Sequence, residues 1–236
     1  MKKKEFMVLF AVILGMCLTS CSKNEVEDMT VNVNVTPQAI SLYYKGTKQL
    51  TSTNATSWIS EDEFVAKVDN NGVVTGEHVG TTKIIATNGA SSASCVVTII
   101  PKYNLYDTPV QNWGASPSEI KSKEKHELMS SESTSSSSML AYNYTNESDK
   151  PVLLTYLFEN GKLSRITVFV ALQQYENAVK YLQERYTPIY AEKTDYFLMF
   201  TDAYTKDKMK SVMSVQITKV NGTELTTISY IPASEQ

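Results

Sequence analysis

Hydrophobic and polar residues alternate in short runs between residues 30 and 100. Val31 to Val35 alternates strictly, and the run from Ala93 to Ile99 is also typical of a strand. Asn70-Asn71-Gly72 separates two further apolar runs, and an Asn-Gly pair in that position predicts a hairpin turn. Because no helical period interrupts the segment, residues 30–100 are predicted to form a small antiparallel β-sandwich.

After Pro101 the pattern predicts helices among strands. Ser116-Pro117-Ser118-Glu119 combines an N-cap serine, a proline at the first helical position and a glutamate three residues after the cap, which predicts a helix over 117–128. Apolar residues recur at helical spacing over 172–186. The serine-rich segment 130–138 is predicted to be a flexible loop. Strands are predicted over 140–145, 151–159, 162–170, 196–201, 209–220 and 224–231.

These elements predict an α+β domain over residues 101–236. An αβββ unit occurs twice, and we expect one antiparallel sheet with both helices packed on one face. Tyr142, Tyr144 and Phe169 are predicted to lie on the open face, where aromatic rings can stack on sugar rings. The alternative is that tyrosine simply suits a half-buried strand position.

The first twenty residues have the pattern of an export signal. Lys2 to Lys4 precede an apolar run from Phe6 to Leu18, which is too short to span a membrane. Leu18-Thr19-Ser20-Cys21 resembles the lipobox of bacterial lipoproteins. The resemblance implies that residues 1–20 are removed and that Cys21 is lipidated. The residues after Cys21 are polar and acidic, which predicts a flexible lipidated tether over 21–29. Because no aspartate follows Cys21, it also implies the outer membrane. An ordinary signal peptide is the alternative.

Several landmarks in residues 30–100 occur in a characteristic order. They are Thr36-Pro37, Trp58 followed by Ser60, Val73-Val74-Thr75-Gly76, and Gly80-Thr81-Thr82. Together they resemble the bacterial Ig-like domain (group 2). The resemblance implies a spacer or adhesion module of a surface protein, without catalytic residues.

Composition and motifs exclude several classes of function. Lys and Arg number 22 against 25 Asp and Glu, so no cationic excess points to a nucleic-acid partner. The motifs of serine hydrolases, zinc proteases and nucleotide-binding loops are absent from the sequence. His78 is predicted to be a solvated loop residue, and Glu61 to Glu63 a solvated acidic turn. We therefore predict no catalytic residues, no metal and no cofactor.

Cys95 lies within a predicted strand. Because Cys17 leaves with the signal and the Cys21 sulfur carries lipid, Cys95 has no intramolecular disulfide partner and is predicted to be a small buried hydrophobe.

The sequence therefore predicts a monomeric, non-enzymatic lipoprotein that is anchored in the outer membrane through Cys21 and exposed at the cell surface. Its Ig-like spacer would present the α+β domain for adhesion or for binding a glycan or a cell-surface protein. The alternative is a periplasm-facing accessory or inhibitor protein that binds an envelope enzyme, and a hydrolase with a carboxylate cleft is a third hypothesis.

Overall fold

The computed structural model describes residues 31–146, 148–194 and 197–233. The predicted signal and tether, including Cys21, lie outside the described residues. Both helices in the described part of the chain are shorter than a membrane-spanning helix must be. Residues from Asn32 onward belong to one compact unit.

An N-terminal β-sandwich extends to Ile100. Its strands are β1 (Asn34–Thr36), β2 (Ala39–Tyr43), β3 (Thr47–Gln49), β4 (Thr51–Thr53), β5 (Ser57–Ser60), β6 (Ala66–Val68), β7 (Val73–Gly76), β8 (Gly80–Thr87) and β9 (Ser92–Ile100). They form a four-stranded sheet in the order β2-β9-β8-β5, a three-stranded sheet β3-β7-β6 and the pair β1-β4. The predicted sandwich is confirmed, although β2 pairs with β9 in parallel.

Alternation along the strands builds the core of this sandwich. Ile84, Cys95 and Val97 are fully buried, together with Val74 of β7 and with Leu50 between β3 and β4. Each fully buried aliphatic side chain contributes about 1.5–3 kcal/mol. The prediction that Cys95 is a buried hydrophobe is confirmed, and burial raises the pKa of its thiol.

The predicted turn at Gly72 joins β6 to β7. Asp69 stabilises it, because its Oδ1 accepts hydrogen bonds from the backbone N–H groups of Asn71 and Val73. Gly72 has a φ of +81°, and a Cβ there would lie 2.9 Å from the Trp58 ring. The half-buried Trp58 therefore packs against the core where only glycine fits.

In the described residues, the C-terminal domain contains two α-helices and eight strands. They are α1 (Pro117–Lys123), β10 (Leu128–Ser133), β11 (Ser137–Thr145), β12 (Pro151–Glu159), β13 (Lys162–Ala171), α2 (Tyr175–Gln183), β14 (Thr187–Thr194), β15 (Phe197–Thr201), β16 (Ser211–Val220) and β17 (Thr223–Pro232). A 3₁₀ turn over Leu172–Gln174 leads into α2, and another over Lys206–Lys208 precedes β16.

All eight strands form one antiparallel sheet in the order β10-β11-β12-β13-β17-β16-β15-β14. Each half of the domain is a helix followed by four strands, and the last strands of the two halves, β13 and β17, pair at the centre of the sheet. The predicted fold class is confirmed, but the repeated unit is αββββ. The two missed strands, β10 and β14, form the edges of the sheet.

The prediction of a flexible loop over 130–138 is wrong. Most of the serines lie in β10 and at the start of β11, and the short connection, which contains Ser135 and Ser136, is closed by hydrogen bonds between Thr134 and Ser137. An edge strand pairs through its backbone on one side only and needs no apolar alternation, so its serines resemble those of a loop.

The local helix and turn signals are confirmed more closely. The Ser116 hydroxyl accepts a hydrogen bond from the Glu119 N–H, and the Glu119 carboxylate accepts one from the Ser116 N–H at 2.8 Å. Helix α1 nevertheless ends at Lys123, because Glu124 is extended. Asn160-Gly161 and Asn221-Gly222 have positive φ at both positions, as type I′ hairpin turns require.

Both helices pack on the same face of the sheet. Ile120 of α1 and Tyr181 and Leu182 of α2 belong to a single core cluster with side chains from the inner face of the strands. Leu105 and Tyr106, which follow the sandwich, are buried in the same cluster. The connection between the domains is therefore part of the core.

Candidate functional site

The face of the sheet opposite the helices carries a row of small side chains. Strand pairing aligns Ala141, Thr155, Thr167, Ser229 and Ser214 across five neighbouring strands. Neighbouring strands are about 4.8 Å apart, so the four hydroxyl-bearing residues extend over three such spacings. We call this face the open sheet face, because the core cluster with both helices contains, among the described residues, side chains of the opposite face only.

Larger apolar residues flank the hydroxyl row. Leu153 and Phe169 are paired neighbours on one side, and Phe169 is in turn opposite Thr227. Met139 and Leu157 are paired on the other side, next to Arg165. Among the residues just named on this face, Arg165 carries the only charge. A row of hydroxyls between apolar edges can donate and accept hydrogen bonds while apolar surface packs beside it.

A shallow depression lies at one end of the open sheet face. It encloses about 470 Å³ and is lined by Ala171 and Leu225, which are paired on this face, and by the β16–β17 turn. Lys219 and Glu224 bring charges of both signs to its rim. Because Leu172 and Gln173 of the 3₁₀ turn also line it, the depression lies at the end of the sheet and is not part of the open sheet face alone.

The sequence prediction placed two residues on the wrong face. Tyr142 is 2% exposed, pairs with the buried Leu154 and meets Tyr156 edge to face. Tyr144 has the same parity and is half-buried against the same core. Only Phe169 of the predicted binding residues lies on the open sheet face. Tyrosine suits both faces of a sheet, so it does not show which side of β11 is buried. The alternation of buried residues along β12, which pairs with β11, does show it.

Residues 26–99 match the family model of the bacterial Ig-like domain (group 2). The N-terminal sandwich is a bacterial Ig-like domain. Domains of this family occur in bacterial surface proteins and are generally non-enzymatic, which indicates a surface or adhesion-type module. No curated protein shows a significant match to the chain.

His78 of the Ig-like domain lies in the contact with the α+β domain and is 4% exposed, so the prediction of a solvated residue is wrong. Its ring stacks on Phe64 with centroids 4.0 Å apart, and its Nδ1 lies 2.6 Å from the Phe64 carbonyl oxygen. Its Nε2 is 3.4 Å from the Thr187 hydroxyl. Burial lowers the pKa of His78. Tyr204 closes the contact, with its ring centroid 5.2 Å from that of Phe64.

Glu184, at the end of α2, binds two separate parts of the chain. Its carbonyl accepts a hydrogen bond from the Val79 N–H of the Ig-like domain at 2.7 Å. Its carboxylate, in a residue that is 3% exposed, accepts from the backbone N–H groups of Lys102 and Tyr103 at 3.0 Å each. Glu184 therefore ties the Ig-like domain, the connection and α2 together.

A second polar cluster ties the connection to the sheet. The Glu124 carboxylate binds His126 Nδ1 at 2.7 Å and accepts a hydrogen bond from the Tyr156 hydroxyl at 2.5 Å. His126 stacks on Tyr144, and its Nε2 lies 3.3 Å from Asp107. A hydrogen bond from Lys125 lowers the pKa of Asp107. These contacts pair the members with one another, as in a structural network.

The acidic turn Glu61 to Glu63 is exposed, as predicted, and borders a cleft of about 630 Å³ with Asp202 and Tyr204. Asp202 accepts hydrogen bonds from the Lys210 and Ser211 backbone, so its carboxylate stabilises a turn. The described residues contain no group of three or more His, Cys, Asp or Glu arranged to hold a metal ion.

Proposed function

We propose that the mature chain is a non-enzymatic, lipid-anchored protein of the cell surface. The Ig-like domain is its spacer, and the α+β domain binds a glycan or a cell-surface protein through the open sheet face. The observation that carries this proposal is the hydroxyl row around Thr167, which lies beside Phe169 on a face away from both helices. Hydroxyls next to an aromatic ring suit the polar edges and apolar faces of sugar rings.

The anchor is proposed from the sequence at Cys21. Mass spectrometry of the protein from cell envelopes tests it: the expected N-terminal peptide begins at Cys21 and carries acyl chains. Cys21→Ala should release the protein from the membrane fraction. An N-terminus elsewhere, or membrane retention of the Cys21→Ala variant, would refute the anchor.

The binding surface is tested with residues 22–236 on a glycan array. Thr167→Lys places a charge in the middle of the hydroxyl row, and Phe169→Ala removes the ring beside it. Ile59→Lys is the matched control, because Ile59 is 53% exposed on the Ig-like domain. We expect binding by the parent and the control and loss of binding in both open-face variants. Equal binding by all four proteins would contradict the proposal.

The second candidate is an accessory or inhibitor protein that faces the periplasm and binds an envelope enzyme. Leu153, Leu157 and Phe169 favour it, since apolar side chains around a neutral centre also suit a protein interface. In this case a specific envelope protein co-purifies with the parent and is lost with Thr167→Lys. Protease added to intact cells then leaves the α+β domain uncut until the cells are lysed.

A further inference from the structure

A groove on the helical side of the α+β domain is separate from the open sheet face. It encloses about 330 Å³, near the lower end of the size range of small-molecule sites. Three segments meet there: the connection after the Ig-like domain, the β11–β12 turn and the start of α2. We call it the linker groove, and the lining residues that matter for its chemistry are Lys102, Tyr103, Asn146, Lys150, Gln174 and Asn177.

Hydrogen bonds to the rest of the domain fix the backbone of the residues that line the linker groove. Glu184 binds the backbone N–H groups of Lys102 and Tyr103. Asn146 donates to the Leu105 carbonyl oxygen at 2.6 Å and accepts from the Lys150 N–H at 2.9 Å. A ligand therefore meets a surface that is already ordered, which lowers the entropic cost of binding.

The lining groups are those that recognise a polyhydroxylated ligand. Asn177 Nδ2 donates to Gln174 Oε1 at 3.0 Å, which fixes both amides side by side. Asn177 Oδ1 remains an acceptor and Gln174 Nε2 a donor, so the pair offers both functions to adjacent hydroxyls. The half-buried Tyr103 ring adds an aromatic surface at the same groove.

Among the described residues that line the groove, the charged side chains are those of Lys102 and Lys150. Lys102 and Lys150 are exposed and line it, whereas Asp149 and Glu176, on the same turn and helix, are not among the lining residues. The Lys180 ammonium group lies 5.6 Å from the Tyr103 ring centroid, and Lys180 is likewise not among the lining residues. Ammonium groups form charge-assisted hydrogen bonds with carboxylates.

We propose that the linker groove binds a carboxylated sugar, such as a uronic acid residue of an acidic glycan. Lys102 and Lys150 bind the carboxylate, and the Gln174–Asn177 pair binds ring hydroxyls. The inference shares the glycan ligand class with the proposed function but uses a different surface. Failure of the open sheet face to bind therefore leaves it intact.

The test is calorimetric titration of residues 22–236 with a glucuronic acid oligosaccharide and with its carboxyl-reduced, neutral counterpart. We expect the acidic oligosaccharide alone to bind, and its affinity to fall as salt is raised. Lys102→Ala combined with Lys150→Ala should weaken binding by about tenfold or more, since each lysine supplies a charge-assisted hydrogen bond.

Lys162→Ala is the matched control, because this exposed lysine lies at the start of β13, outside the groove. It should bind like the parent. Equal binding of the neutral oligosaccharide, unchanged affinity of the double variant, or no binding of the acidic oligosaccharide would each overturn the inference. If Phe169→Ala lost binding and the double variant did not, the acidic oligosaccharide would bind at the open sheet face and not in the linker groove.

Discussion

Glu184 allows a quantitative test of how the two domains are joined. Its carboxylate accepts hydrogen bonds from two backbone N–H groups, those of Lys102 and Tyr103. Hydrogen bonds to a charged group contribute about 1.5–3 kcal/mol each. Because Lys102 is an exposed residue, water replaces part of the loss, and Glu184→Ala should cost about 2–4 kcal/mol.

The assay is thermal unfolding of residues 22–236 combined with amide hydrogen exchange. For a chain of this size the expected loss lowers the melting temperature by about 5–15 °C. Exchange should accelerate at the Lys102 and Tyr103 amides, and also at Val79, which binds the Glu184 carbonyl. Glu184→Gln retains one acceptor oxygen and should lose about half as much stability.

Glu132→Ala is the matched control, because Glu132 is an exposed carboxylate on the edge strand β10. It should unfold within about 1 °C of the parent, as surface substitutions usually do. If Glu184→Ala unfolded together with this control, and its Lys102 and Tyr103 amides exchanged at the parent rate, the carboxylate would not hold the connection.

Three further predictions concern single residues. Gly72→Ala should destabilise the Ig-like domain by about 2–5 kcal/mol in chemical denaturation, because its positive φ is combined with a Cβ 2.9 Å from the Trp58 ring. Gly161→Ala, with a φ of +74° but open space, should cost only about 1–2 kcal/mol, and equal losses would contradict the steric argument. His78 has a lowered pKa in the folded protein, so the unfolded chain takes up the proton at a higher pH, and stability falls as the pH drops below about 6.5, the ordinary pKa of histidine. His78→Asn should reduce the stability loss between about pH 7.5 and about pH 5.5, and an unchanged loss would exclude His78 as its source. Cys95 in residues 22–236 should react with a thiol reagent only after denaturation, and rapid reaction of the native protein would contradict its burial.

Signals that act within a few residues predicted the local structure well. The Ser116 capping box and the Asn-Gly turns at 160–161 and 221–222 are present where the sequence indicated them. They succeed because the hydrogen bonds and backbone angles involved are decided by neighbouring residues. The edge strand β10 was missed because its pairing depends on β11 and leaves no periodic apolar signal in its own residues.

The sequence predicted the candidate site less well than it predicted the local structure. Phe169 lies on the open sheet face as predicted, but Tyr142 does not, since a tyrosine fits either side of a strand and only the register with β12 decides its parity. The linker groove was not predicted at all. Lys102, Asn146 and Gln174 are distant in sequence and meet only after the sheet and α2 have packed.

The sequence by itself determined the Ig-like domain, the caps and hairpin turns, and the burial of Cys95, because each follows from local backbone chemistry or from alternation along one strand. Tertiary structure decided the eight-stranded sheet, the face that each side chain occupies and the burial of His78 and Glu184 between the domains. The physical reason is that strand register and domain contact are sums over residues far apart in the chain. A charged side chain such as that of Glu184 is buried only where N–H groups from a distant part of the chain donate hydrogen bonds to it.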